Sequence, residues 1–148
     1  MTSRLFGMIL IVAFPVIIGF GFVVMNWESP FKAVDVCKNL AISIENIGPN
    51  QACLGDLDEN QYINFILHNI GSSDITGITV LATGDKGSGT IELSPISFPK
   101  EGTFSKTDKL AIYDTQLFGK IKNIQFYPKS GTEFCPKKSI KADNIGTC

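Results

Sequence analysis

The four cysteines are the residues of this chain whose chemistry is most specific. Cys37, Cys53, Cys135 and Cys148 are widely spaced, and no Cys-x-x-Cys or Cys/His pair typical of a zinc site is present. All four follow a long apolar segment near the N-terminus. An even number of cysteines on one side of a membrane helix indicates two disulfides in an oxidising compartment. We therefore predict that the part of the chain after the apolar segment lies outside the cytoplasm.

The pairing of these cysteines is not determined by their spacing, since four cysteines allow three connectivities. We favour Cys37–Cys53 with Cys135–Cys148, because each pair brackets one strand-and-turn unit of the sequence. The nested alternative, Cys37–Cys148 with Cys53–Cys135, would instead join the first and last strands.

Other residue types that carry chemistry form no recognisable catalytic motif. His68 is the only histidine, and it falls on the polar phase of its predicted strand, which favours a solvent-facing side chain. The spacing of Asp56, Asp58 and Asn60 is similar to the start of a calcium loop. The turn glycine and the bidentate glutamate of such a loop are replaced by Gln61 and Leu67, so these residues predict at most a weak calcium site. We predict that the protein is not an enzyme and has no cofactor.

A run of 21 residues without a charged side chain, Leu5–Met25, begins just after Arg4 and is followed by Asn26 and Trp27. A helix of that length spans about 30 Å, which is the thickness of the bilayer hydrocarbon. The alternative is a cleaved signal peptide, but its apolar core is normally shorter and followed by a small-x-small site. We predict a transmembrane or filament-core helix over residues 1–28. Its helix-packing residues would be Gly7, Pro15, Gly19 and Gly21.

The charge pattern excludes one class of partner. The chain has 13 basic and 14 acidic residues, and only Arg4 precedes the apolar run. A nearly neutral domain with both signs mixed lacks the basic surface that nucleic acid requires. The expected partners are therefore the membrane or further copies of the same chain.

Alternating apolar and polar residues after the helix predict a β-rich domain. A short stalk is expected over residues 29–36 and an antiparallel Ig-like β-sandwich over residues 37–148. The predicted strands lie at 40–45, 62–69, 75–82, 90–96, around 104, at 110–113 and at 121–127. Their predicted core residues are Ile42, Ile44, Ile63, Phe65, Leu67, Ile78, Val80, Ile91, Leu93, Ile112, Ile124 and Phe126.

An apolar N-terminal helix followed by a small disulfide-bearing sandwich, with phrases such as LHNIGSSDI at 67–75, resembles archaeal type IV pilin-like proteins. It is also similar to the membrane-anchored β-sandwich subunits of the archaeal flagellar motor. The resemblance implies a structural subunit of a cell-surface filament. Phe6 precedes Gly7, where pilin precursors carry a charged residue before their processing site. The alternative is therefore a single-pass, membrane-anchored accessory or binding protein.

Overall fold

The computed structural model describes residues 35–58, 60–106 and 111–148, with the side chain of Lys106 excluded. Asp35–Cys148 form one compact unit. The predicted transmembrane helix at 1–28, its packing residues Gly7, Pro15, Gly19 and Gly21, and the stalk up to residue 34 lie outside the described residues. Within the described residues, no helix is long and apolar enough to cross a membrane.

Eleven strands are present in the described part of the chain, and they form two sheets. The strands are β1 Ile42–Glu45, β2 Ala52–Leu57, β3 Asn60–Asn69, β4 Gly77–Gly84, β5 Ser88–Leu93, β6 Thr103–Lys106, β7 Ile112–Asp114, β8 Ile121–Ser130, β9 Glu133–Phe134, β10 Ile140–Lys141 and β11 Ile145–Thr147. A single helical turn, α1, covers Thr115–Phe118, and a 3₁₀ turn covers Pro136–Lys138. The mainly β character predicted from the sequence is confirmed.

Sheet I is built around the long strand β3. β1 and β2 lie end to end along one edge of β3, and β6 and β7 lie end to end along the other. β11 pairs with the free edge of β2 in a parallel register, with Ile145 opposite Ala52. This pair departs from the predicted all-antiparallel arrangement, because the last strand returns beside an early strand and runs in the same direction.

Sheet II is built around β4 and β8, which pair antiparallel over most of their length. β5 forms a hairpin with β4, while β9 and β10 share the opposite edge of β8. The β8–β9 hairpin turns at Gly131, whose φ of 60° lies in the left-handed region that favours glycine. This turn places β9 and the following 3₁₀ turn at one end of sheet II, and the β4–β5 turn lies at the other end.

The core lies between the two sheets and is centred on aromatic side chains. The ring of Phe65 on β3 lies 4.7 Å, centroid to centroid, from that of Phe126 on β8. Phe104 on β6 packs against Phe65 at 6.3 Å and against Phe98 at 5.6 Å. Phe65, Phe98 and Phe126 are fully buried. These contacts hold the sheets face to face in a sandwich-like arrangement.

The predicted core is mostly confirmed, with one error of phase. Ile44 and Ile91 are partly buried against the core rather than within it. Ile112 is 45% exposed, and its neighbour Tyr113 is 2% exposed. The stretch around Ile112 is apolar at successive positions, so alternation could not show which side chains face inward.

Candidate functional site

The first disulfide fixes the start of the described domain to sheet II. Cys37 bonds to Cys135, which follows β9 and is almost fully buried. Asp35 Oδ1 accepts a hydrogen bond of 3.1 Å from the backbone N–H of Cys37. Lys138 Nζ donates to the carbonyl oxygen of Lys38 at 3.1 Å. The residues through which the N-terminal segment joins the domain are thus held by one covalent bond and by backbone and side-chain hydrogen bonds.

The second disulfide fixes the end of the chain to sheet I. Cys53 on β2 bonds to Cys148, directly after β11. The side-chain amide of Asn64 on β3 lies 3.3 Å from Cys148 Sγ. The bond therefore reinforces the parallel pairing of β2 and β11.

The prediction of two disulfides is confirmed, but both pairings considered from the sequence are wrong. The observed bonds, Cys37–Cys135 and Cys53–Cys148, span 98 and 95 residues. Strand pairing explains this outcome, since β9 brings Cys135 to the start of the domain and β11 brings the C-terminal cysteine to β2. Each bond therefore links sequence-distant parts of the sandwich rather than one local unit.

A surface that the sequence did not predict lies beside the first disulfide. Phe134, on the two-residue strand β9, is 44% exposed, and its ring stacks on that of Tyr127 with centroids 5.1 Å apart. Phe134 also lines a cavity of about 260 Å³ next to the disulfide. We call the lining residues the N-terminal corner: Asp35, Cys37, Glu133, Phe134, Cys135, Pro136, Lys137 and Lys138. A sequence signal did exist, since the two aromatic residues flank the Gly131 turn at positions that a hairpin brings together.

A polar network covers the outer face of sheet II. Thr79 Oγ1 donates to Glu92 Oε1 at 2.7 Å, and Lys129 Nζ donates to Glu92 Oε2 at 3.0 Å. Partial burial raises the pKa of Glu92, but the two hydrogen bonds and the charge of Lys129 outweigh it. The pKa of this carboxyl group therefore lies below its usual value of 4.5. Glu92 is ionised at neutral pH and ties β4, β5 and β8 together.

His68 joins a second polar network, on the outer face of sheet I. Its Nε2 lies 2.6 Å from Glu45 Oε2, and its Nδ1 lies 3.0 Å from Thr103 Oγ1. The histidine side chain is 38% exposed, which confirms the predicted outward direction. A hydroxyl, an imidazole and a carboxylate in line are the parts of a nucleophilic triad, but such a triad also needs a substrate cleft and an oxyanion site. Glu45, His68 and Thr103 line neither the cavity of the N-terminal corner nor a second cavity beside β11.

The residues considered for calcium lie at the β2–β3 hairpin. Asp56 is on β2, Asn60 is the first residue of β3, and Asp58 has a φ of 50° in the turn between them. The carboxylate of Asp56 accepts a long hydrogen bond of 3.4 Å from the side-chain amide of Gln61. In the part of the chain that the structure describes, no three acidic, histidine or cysteine side chains are grouped as a metal would require.

A second, larger cavity of about 420 Å³ lies beside β11. Its lining includes the residues of that strand together with Ile121, Lys122 and Asp143. It is more polar than the N-terminal corner and carries no exposed aromatic side chain among its lining residues.

Compared with known proteins, the chain matches no family model, no curated protein and no solved structure.

Proposed function

We propose that this chain is a structural subunit of a cell-surface filament, and that it assembles through the apolar helix predicted at residues 1–28. Residues 37–148 would form the domain exposed outside the cytoplasm. The observation that supports the proposal is the placement of the two disulfides. Each one fastens an end of the domain to a different sheet.

This arrangement suits a domain that bears a pulling force. Tension along the N-terminal segment would reach the domain at Asp35 and pass within two residues to Cys37. The covalent bond to Cys135 would carry that tension into the chain next to β8, one of the two central strands of sheet II. Without it, the load would first act on the four-residue edge strand β1, which is held by hydrogen bonds to β3. A filament subunit anchored by one terminal helix experiences such a load.

The proposal is tested in the helix rather than in the domain. Gly19→Leu and Gly21→Leu add bulk where close approach of neighbouring helices is predicted. We expect each variant to lose sheared surface fibres while its disulfides still form, as shown by a non-reducing gel. Ile18→Leu is the matched control, since it keeps the bulk of the same segment and should assemble normally.

Two results would contradict a filament role. One is normal fibre yield from both glycine variants. The other is a wild-type chain with intact Met1 that stays in the membrane fraction and is absent from sheared fibres. The N-terminal sequence of the mature protein and electron microscopy of sheared material provide these measurements.

The alternative is a membrane-anchored accessory protein, and the exposed Phe134, stacked on the half-buried Tyr127, favours it. Stacked aromatic rings on a surface are more typical of a contact site than of a solvated face. Under this alternative the glycine variants would be nearly silent, because lipid tails accommodate leucine as readily as glycine. Both functions require the apolar helix to reside in a membrane. For a filament subunit this applies before assembly.

A further inference from the structure

The composition of the N-terminal corner is that of a membrane-interface surface. Phe134 is exposed and supported from below by Tyr127, while Pro136 and the disulfide provide further apolar lining. Lys137 is exposed beside them on the 3₁₀ turn. Aromatic rings and lysines together are enriched at the level of lipid headgroups, where one end of the surface is apolar and the other is charged.

The covalent chain limits how far this corner can lie from a bilayer. The predicted apolar run ends at Met25, and nine residues separate it from Asp35. At most about 3.3–3.6 Å per residue, this segment spans about 30 Å when fully extended. The opposite end of sheet II, at the β4–β5 turn, is about 30 Å further along the ten-residue strand β8. The N-terminal corner is therefore the end of sheet II that lies nearest, along the chain, to the predicted apolar run.

The charges at the corner and on the adjacent Lys38 favour anionic headgroups moderately. Within the corner, Lys137 and Lys138 balance Asp35 and Glu133. Lys38, which follows Cys37, adds one positive charge. The carboxylate of Asp35 is already engaged by the backbone N–H of Cys37. The ammonium of Lys138 is engaged by the carbonyl of Lys38. Lys38 and Lys137 are exposed, and no hydrogen bond of their side chains is described, so their charges remain available.

We propose that the N-terminal corner is a lipid-docking surface, in which Phe134 enters the interface and Lys38 and Lys137 bind anionic headgroups. This inference rests on the membrane residence that the proposed function requires. It assigns the exposed ring of Phe134 to a lipid partner and makes the orientation of the domain dependent on lipid charge.

The experiment uses the full chain in lipid nanodiscs with a single tryptophan. Trp27 is the only tryptophan, so Trp27→Phe gives a silent background. Phe134→Trp then places the probe at the corner, and Leu117→Trp places a matched probe on α1. Leu117 is 63% exposed, and Phe118 beside it packs near Gly87 and Gly89, at the far end of sheet II.

With brominated lipids in discs that contain phosphatidylglycerol, we expect quenching at position 134 and none at position 117. Lys38→Glu with Lys137→Glu should reduce the quenching strongly, since each lysine at an anionic surface contributes about fivefold, or about thirtyfold for the pair. Lys86→Glu with Lys122→Glu makes the same charge change at the opposite end of sheet II and should have no effect.

The outcomes separate this inference from the proposed function. A chain that co-purifies with the discs but is quenched by brominated lipid no more at position 134 than at position 117 contradicts lipid docking and leaves the anchoring intact. A blue-shifted probe at 134 that is insensitive to bromine would mean contact with another copy of the chain, which also overturns lipid docking. A chain that does not co-purify with the discs contradicts the anchoring and, with it, both proposals.

Discussion

Removing either disulfide alone is predicted to lower the free energy of unfolding less than removing the remaining one afterwards, because the two loops overlap. Cys37–Cys135 and Cys53–Cys148 each close a loop of nearly 100 residues. By the chain-entropy estimate, a lone cross-link of that length stabilises the fold by about 4.7 kcal/mol. Once one bond is present, it already holds the two distant parts of the chain together. The other bond then closes a shorter loop, made of the segments 37–53 and 135–148, with about 30 residues in total. The second bond then contributes about 3.6 kcal/mol.

The double-mutant cycle makes this coupling measurable. Cys37→Ser with Cys135→Ser, or Cys53→Ser with Cys148→Ser, should each cost about 3.6 kcal/mol, and removal of all four thiols should cost about 8.3 kcal/mol. The total exceeds the sum of the two single losses by about 1 kcal/mol. Local pairs, Cys37–Cys53 and Cys135–Cys148, would close separate loops worth about 3 kcal/mol each and would be additive.

The assay is urea unfolding of the four variants in a fixed concentration of osmolyte, chosen so that the variant without disulfides remains folded. Peptide mapping without reduction identifies the bonds in the same samples. Additive losses, together with a peptide in which Cys37 is linked to Cys53, would refute the overlapping connectivity and the argument built on it.

Two further predictions concern the core and the outer face of sheet II. Phe65→Ala removes a fully buried ring that packs against Phe126 in the opposite sheet. Urea unfolding should show that the free energy of unfolding falls by about 3–5 kcal/mol. A decrease below about 1 kcal/mol would contradict the central position of Phe65. Glu92→Gln should lower the unfolding free energy by about 0.2–1 kcal/mol at pH 7, because the half-exposed carboxylate is paired with Lys129. The folded pKa of Glu92 is lowered, so its stabilisation is present above the usual value of 4.5 and is lost as the pH falls through the folded value. The variant and the wild type should therefore converge once the pH lies below the lowered pKa of Glu92, and a difference that persists in that range would exclude an electrostatic origin.

The long strands were predictable because their alternation is regular. Tyr62–Asn69 has three large apolar residues on one phase, and the structure extends that strand by only two residues, to Asn60. β2 was missed because the sequence ACLGDL contains small and polar residues in place of the β-branched and aromatic residues typical of strands. Its burial comes from β3 on one side and β11 on the other, which is a property of the fold and not of the segment.

The candidate sites were less predictable than the strands, since they depend on contacts between distant residues. The number of cysteines predicted two disulfides, but their pairing depends on the positions of β9 and β11 in the fold. Phe134 lies on a strand of only two residues, too short for any periodicity. The two aromatic residues on either side of Gly131 indicate that the rings can meet across a hairpin, but the exposure of Phe134 follows from the position of β9 at the edge of sheet II.

The parallel pairing of β2 with β11 has a consequence for the order in which the chain is made. The partner of β2 is synthesised almost 90 residues after it, so the free edge of β2 stays open until nearly the whole domain has emerged. Until Cys135 has been made, Cys37 and Cys53 are the only cysteines of the chain that have been synthesised, and a bond between them would be non-native. A cell that makes this protein therefore needs either to keep these two thiols reduced until Cys135 appears or to exchange an early, wrong bond afterwards.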